Sequence, residues 1–336
     1  MKNGITVAGN ILVDKIKMLE SYPQKGMLST ITSISQGVGG AVPNTGCDIK
    51  RINPAVTVKA CGKVADDDAG KYVLGVMSEN GMDVSGVAVV DGVNHNTSFS
   101  DVMTVSGTGE RTFFHSRGAN AEFGIEDVDV DKIDTDMFHI GYLMLLDRFD
   151  KIQPDGSTEM AKLLENVRKR GVKTSIDVVS ESSGNFNKVV MGVLPHTDYV
   201  IINEIETGNI AGIETVDADG NVIKENVKKA MQYILDGGVN EKVIVHCPSV
   251  GFCLDKSGRF TEVPSLKLTK GYIKGSVGAG DAFCAGTLYG LYSGWDDEKI
   301  LRFSAAVAAS NLSAPDSISG VNSEAEIWAL DSRLRA

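Results

Sequence analysis

The chain has 336 residues, 42% of them hydrophobic and 23% charged, enough to bury one large core or two modest ones and well beyond the size that needs disulfide staples. Lys and Arg number 33 against 44 Asp and Glu, a formal charge of −11, so no basic field is available for nucleic acid or an anionic membrane, and neither is expected as a partner. Five cysteines at scattered spacings without a C-x-x-C pair, and five histidines without ligand spacing, read as reduced thiols and no structural transition metal.

The opening apolar run, residues 5–8, is too short for a signal peptide, and no segment approaches the roughly 18 apolar residues of a membrane helix. A cytoplasmic location is therefore expected. Further short apolar runs at 56–61, 137–141, 174–178, 199–202 and 243–246 have the length of buried strands. Between them, residues 43–52, 69–80, 158–170, 222–236, 282–292 and 298–312 show apolar spacing near three and four, the pattern of helices. Strands alternating with helices predict an α/β fold around a mostly parallel sheet, with ligands at the carboxyl ends of the strands.

Two stretches, 11–35 and 97–116, break the alternation. The second reads as a hairpin, 98–105 and 111–115 around a five-residue turn at 106–110. With no Pro/Ser-rich linker, repeat or low-complexity tract, both are expected to project from a single domain, 1–336, as the strands of a small lid within about 11–38 and 95–118.

The 37 glycines, more than the average of about 7%, invite nucleotide motifs, but a Walker loop, a G-x-G-x-x-G fingerprint and a G-x-S-x-G elbow are all absent. The strongest signal is instead Gly278-Ala279-Gly280-Asp281-Ala282-Phe283. This is a glycine-rich turn entering an apolar helix, whose free amides and positive dipole end suit an anion such as a transferring phosphoryl group. Asp281 at that helix start is placed to accept the proton of an attacking hydroxyl; alternatively it is only a helix N-cap.

A second glycine-rich turn, Gly37-Val38-Gly39-Gly40 with Asn44, offers close backbone approach plus a donor and acceptor for a polyol. Upstream, Gly9-Asn10 ends a strand and Asp14 follows, a carboxylate that can take two neighbouring hydroxyls. Asn203 and Glu206, three apart after the strand 199–202, provide hard oxygens for Mg²⁺ or, alternatively, form a capping pair. The run Asp66-Asp67-Asp68 reads as a solvated turn and helix start.

Gly39-Gly40 with Asn44, Asn203-x-x-Glu206 and Gly278-Ala279-Gly280-Asp281, in this order, resemble the ribokinase-like carbohydrate kinases of the phosphofructokinase B type. The resemblance extends over nearly the whole chain, including Cys61-Gly62-Lys63 with Asp66-Asp67-Asp68, and Arg111-Thr112-Phe113 with Gly118-Ala119-Asn120. It implies a three-layer fold with a small β-strand lid and transfer of the γ-phosphoryl group of ATP to a sugar hydroxymethyl. It further implies Asp281 as catalytic base and Gly278, Ala279 and Gly280 as anion hole. Asn10, Asp14, Gly39, Gly40 and Asn44 would bind the sugar. Asn203, Glu206, His246 and Gly251 would serve nucleotide, Mg²⁺ and phosphate, without a metal cage made by protein alone.

Three departures from the family pattern stand out. Gly275-Ser276 replaces an Asp-Thr whose aspartate helps form the monovalent-cation site, so potassium activation is doubtful. His246-Cys247-Pro248 and Gly251 replace a Thr-x-Gly loop near the nucleotide, and Ala305 replaces an asparagine of the late helix. A monosaccharide or close derivative is the first expectation for the acceptor. A nucleoside is second, because only 6% of the chain is aromatic. A catalytically impaired sugar sensor is the third, and retention of Asp281 argues against it. Exposed lid edges would allow a homodimer through the lid.

Overall fold

The computed structural model describes residues 3–179 and 186–335. Its strands are β1 (Ile5–Gly9), β2 (Leu12–Leu19), β3 (Ile31–Gly39), β4 (Val58–Ala65), β5 (Asp83–Val90), β6 (Phe99–Val105) and β7 (Arg111–Ser116), followed by β8 (Met137–Leu143), β9 (Lys173–Val178), β10 (Tyr199–Asn203), β11 (Lys242–His246), β12 (Val250–Asp255) and β13 (Phe260–Pro264). The helices are α1 (Ala41–Ile52), α2 (Asp68–Glu79), α3 (Asp147–Asp150), α4 (Glu159–Lys169), α5 (Phe186–Val193), α6 (Glu204–Ala211), α7 (Lys224–Asp236), α8 (Ala279–Tyr292), α9 (Asp297–Asn311) and α10 (Glu324–Leu334). No helix of the described residues is long and apolar enough to cross a membrane.

Nine strands form one sheet in the order β13-β12-β11-β10-β9-β8-β1-β4-β5. From β11 to β5 the pairs are parallel, and β12 and β13 add an antiparallel edge. The two-residue strand period divides the core between the faces. Ile5, Val7, Ile201 and Ile244 face one apolar cluster with α1, α8 and α9. Ala8, Ile140, Val200, Ile202, Val243 and Val245 face the other, with α4, α5 and α7. This is the expected three-layer architecture.

A second sheet, β3-β2-β6-β7, stands apart from the first. β2, β6 and β7 fall within the two stretches that break the alternation, β3 begins in the first and runs past it to Gly39, and β6 and β7 pair antiparallel around the expected turn. In β3 six successive residues from Ile31 are exposed, whereas Val38 and Gly39 at its base are buried. The base is tied down by Ser317, whose hydroxyl donates to the Val38 carbonyl at 2.9 Å.

Two helix starts differ instructively from the sequence reading. α1 begins at Ala41, with Pro43 inside the first turn, where a missing amide costs nothing. α8 begins at Ala279, three residues early, because Gly278 caps it in the left-handed region at φ 79. The sequence reading singles out no strand over β5, β12 or β13 and no helix over α10; β5 carries a short apolar run at 87–90, but none of its residues is buried.

The α8–α9–α10 layer is held by an aromatic cluster in which fully buried Phe303 meets Trp295 edge-on at 5.1 Å and Trp328 at 5.0 Å. Phe303→Ala should cost about 3–5 kcal/mol, read as a lower urea midpoint with an unchanged slope.

Candidate active site

Asp281 lies in the first turn of α8, whose first amides have no acceptor within the helix. Its side chain is not a cap. Asn44 Nδ2 donates to Oδ2 at 2.9 Å, and the Tyr142 hydroxyl donates to Oδ1 at 2.7 Å and Oδ2 at 2.8 Å. Burial pushes the Asp281 carboxyl up, and the bonds from Asn44 and Tyr142 pull it back. Gly278 is required at the turn because its φ is positive and a Cβ there would meet the Ser317 carbonyl oxygen at 2.7 Å.

Asp14 leaves β2 opposite Gly37 of β3 and Ser100 of β6, and the Gly39 backbone packs against its carboxylate. Burial first, then the Asp281 charge, raise its pKa to about 7, while Arg111 of β7 lowers it. Asp14, Arg111, Gly37, Val277, Asp316 and Ser317 help line a small, partly open cavity of about 20 Å³ between the second sheet and the body, room for about one water.

Asn203 and Glu206 adopt the capping geometry. Asn203 Oδ1 accepts the Glu206 amide at 2.8 Å, and Glu206 Oε2 accepts the Asn203 amide at 2.9 Å. This reciprocal box fixes the start of α6 at the carboxyl end of β10. Burial first, then the Glu206 and Asp281 charges, drive the Asp177 carboxyl well above the usual carboxylate range.

Other expected site residues lie elsewhere. Asn10 is fully buried, and its side chain is engaged by protein: Oδ1 accepts the Tyr142 amide at 2.6 Å and Nδ2 donates to the Leu145 carbonyl at 3.2 Å. It is a tether between the β1–β2 connection and the end of β8. The His246 ring sits against Phe283 at 5.1 Å, beside Gly280, and burial lowers its pKa to about 4. Burial thus favours the neutral ring over the charged one. Gly251 is buried within β12 opposite His246 and packs against Leu301 and Phe283, so it forms no open loop. Gly275 leaves no room for a side chain, since a Cβ would lie 2.8 Å and 2.7 Å from the Ala314 and Pro315 carbonyl oxygens. Asp67 of the acidic run caps α2 and accepts from Thr97 at 2.6 Å.

The sequence reading did not single out Tyr142, Asp177, Arg111 or Asp48 as site residues. Asp177 ends a parallel strand, so the rule that pointed to Asp14 applied to it equally. Asp48 is fully buried one helical turn beyond Asn44, and neither of its carboxylate oxygens has a partner. Nothing in a helical pattern marks Asp48 as facing Asp281.

Because the folded Asp14 pKa lies above its unfolded value, the native state holds this proton longer than the unfolded chain, and stability falls as pH rises from about 4 to 7. Asp14→Asn should flatten that slope and raise Tm at pH 8 by about 2–4 °C, equivalent to roughly 1 kcal/mol, in calorimetry across pH.

A model of the pfkB family carbohydrate kinases matches residues 2–324. The 5-dehydro-2-deoxygluconokinase of Clostridium perfringens is 24% identical over 287 residues, 84% of this chain and 80% of its own length. Fructokinase-1 of Zea mays is 24% identical over 341 residues, 96% of this chain and 95% of its own. The Arabidopsis thaliana ribokinase structure, complexed with ribose and ATP, superposes with a TM-score of 0.81 at 20% identity, covering 98% of this chain and 99% of that one. The motif order, the three-layer fold and the match along almost its whole length agree: the chain belongs to the pfkB family of carbohydrate kinases.

Proposed function

We propose that the protein transfers the γ-phosphoryl group of ATP to a hydroxymethyl group of a monosaccharide or close derivative such as a sugar acid. The observation that carries this reading is the buried Asp281 carboxylate, bonded by Asn44 and Tyr142 in the first turn of α8 and within electrostatic reach of Asp14. Bound neighbours of the fold support the donor, since the Arabidopsis ribokinase structure contains ATP beside its sugar.

In this reading Asp14, with the Gly39 and Gly40 backbone and Asn44, holds the acceptor hydroxyls. Arg111 and the second sheet cover them as a lid. Asp281 accepts the proton of the hydroxymethyl as its oxygen bonds to the γ-phosphorus and the bond to ADP breaks. The amides of Gly278, Ala279, Gly280 and Asp281, reinforced by the α8 dipole, face the charge on the transferring group. Phosphoryl transfer needs little covalent help, so positioning and charge stabilisation supply most of the rate.

Asp177 and Glu206 are hard oxygen donors whose mutual repulsion a divalent cation relieves, and the capping bonds with Asn203 hold Glu206 at the start of α6. Those residues fit Mg²⁺ held jointly with nucleotide phosphates; the ion, when bound, neutralises developing phosphate charge. No monovalent cation is included, because the packed Gly275 carries no carboxylate for one.

ATP consumption with Mg²⁺ across pentoses, hexoses, keto-deoxy sugar acids and nucleosides tests the proposal beside Asp281→Ala. Acceptor-dependent turnover should fall by at least about 10³-fold in the variant, as for loss of a central catalytic group. Turnover restricted to nucleosides would replace the sugar assignment. Sugar binding without turnover would replace the kinase with a sensor. The free edges β3 and β7, with exposed Ile34, Phe113 and Phe114, favour pairing of two copies through the second sheet. Light scattering across concentration should give twice the chain mass, and a constant monomer mass would remove the dimer from the proposal.

A further inference from the structure

We infer that Tyr142 is a positioning residue that, by donating to Asp281, aims its carboxylate for proton abstraction; this rests on the kinase reading. Besides its donors Asn44 and Tyr142, Asp281 has several acidic groups within electrostatic reach, two of them partly offset by a cation, Asp14 by Arg111 and Asp48 by Arg51. Asp14 comes from β2, Asp48 from α1 and Asp177 from β9, with Cys284 one turn along α8 itself; each senses the Asp281 charge. A cluster of carboxyls in low dielectric does not ionise fully, and the site with the best donors keeps its charge.

Asp281 has those donors. Its two oxygens share the Tyr142 hydroxyl proton, and one also receives Asn44 Nδ2, whereas both oxygens of Asp48 lack a hydrogen-bond partner. The phenol stays a donor, since burial and the Asp281 charge drive its own pKa far above the usual range. Lone-pair capacity remains on Oδ1 for an acceptor hydroxyl.

The phenol is also held from behind. The Tyr142 amide donates to Asn10 Oδ1 at 2.6 Å. The Asn10 amide donates to the Gly141 carbonyl at 2.8 Å, and Asn10 Nδ2 donates to the Leu145 carbonyl. The end of β8 is thus fastened to the β1–β2 connection by bonds that need no ligand. Asn10 acts through Tyr142, which explains a buried asparagine at a strand end that packing alone does not require.

Tyr142→Phe removes one donor from a carboxylate while keeping the ring, so the Asp281 pKa rises. A base is lost as pH falls through its pKa, so the acid limb of kcat/KM should move up by about one pH unit, the scale of one hydrogen bond to a charged group. At a pH below both limbs the variant should be about tenfold slower than native. Fluorotyrosine introduced at position 142, a more acidic phenol and a stronger donor, should move the limb down; packing alone gives no such opposed pair of shifts.

The same shifts are read without turnover by carboxyl carbon NMR titration, with the Asp281 signal assigned through Asp281→Asn. Limbs and Asp281 titration unmoved in both substituted proteins would overturn the assignment. Absence of phosphorylation by the native protein with every acceptor would instead defeat the kinase reading, and the NMR titration would still decide the Tyr142 contact.

Discussion

A carboxylate almost removed from water, at the positive end of an apolar helix, is the constraint around which this molecule is arranged. Asp281 is tolerable there only because donors reach it from two other elements, Asn44 on α1 and Tyr142 at the end of β8, and because the α8 dipole favours a negative charge in its first turn. Isolated burial of such a group would cost far more than a domain's margin of stability. The donors in turn depend on the sheet, since β8 lies beside β1, and the β1–β2 connection carries the Asn10 tether.

The second sheet depends on the same region. Its β2 strand continues from β1 through Asn10, its β3 strand runs directly into α1, and Ser317 fastens the base of β3 to the connection between α9 and α10. The second sheet is therefore joined to the body beside Asp14, Gly39 and Gly40, next to the helix that holds Asn44. The small cavity between Asp14, Arg111 and Asp316 is where the second sheet meets the connections before α8 and after α9, and its acidic and basic walls are drawn from β2, β7 and the chain after α9. Acceptor discrimination in the proposed reaction would be set at that seam, where a misplaced or missing polar partner is costly.

Electrostatically the centre is overloaded with acid. Asp14, Asp48, Asp177 and Asp281 are all pushed toward protonation, a state that lowers stability near neutral pH and is relieved by cations, donors or bound polyols. His246, whose neutral form burial favours and whose ring packs on Phe283, offers no compensation. Native proteins concentrate such unfavourable terms at sites of chemistry, and here they coincide with the glycine-rich turn and the capped start of α6.

The local sequence alone determined the alternating strands and helices, the two excursions that became the second sheet, and the glycine-rich turns with Asp281, because these are written in periodicity and in residues with special backbone freedom. It also carried the pairing of Asn203 with Glu206, a contact only three residues long. Tertiary structure decided the rest. Tyr142 meets Asp281 across 139 residues and Asn44 meets it across 237, separations at which no local pattern marks the partner. It decided that Asn10 faces inward, that Gly251 packs as strand, and that Gly278 starts α8 early, since burial and pairing are properties of the assembled layers.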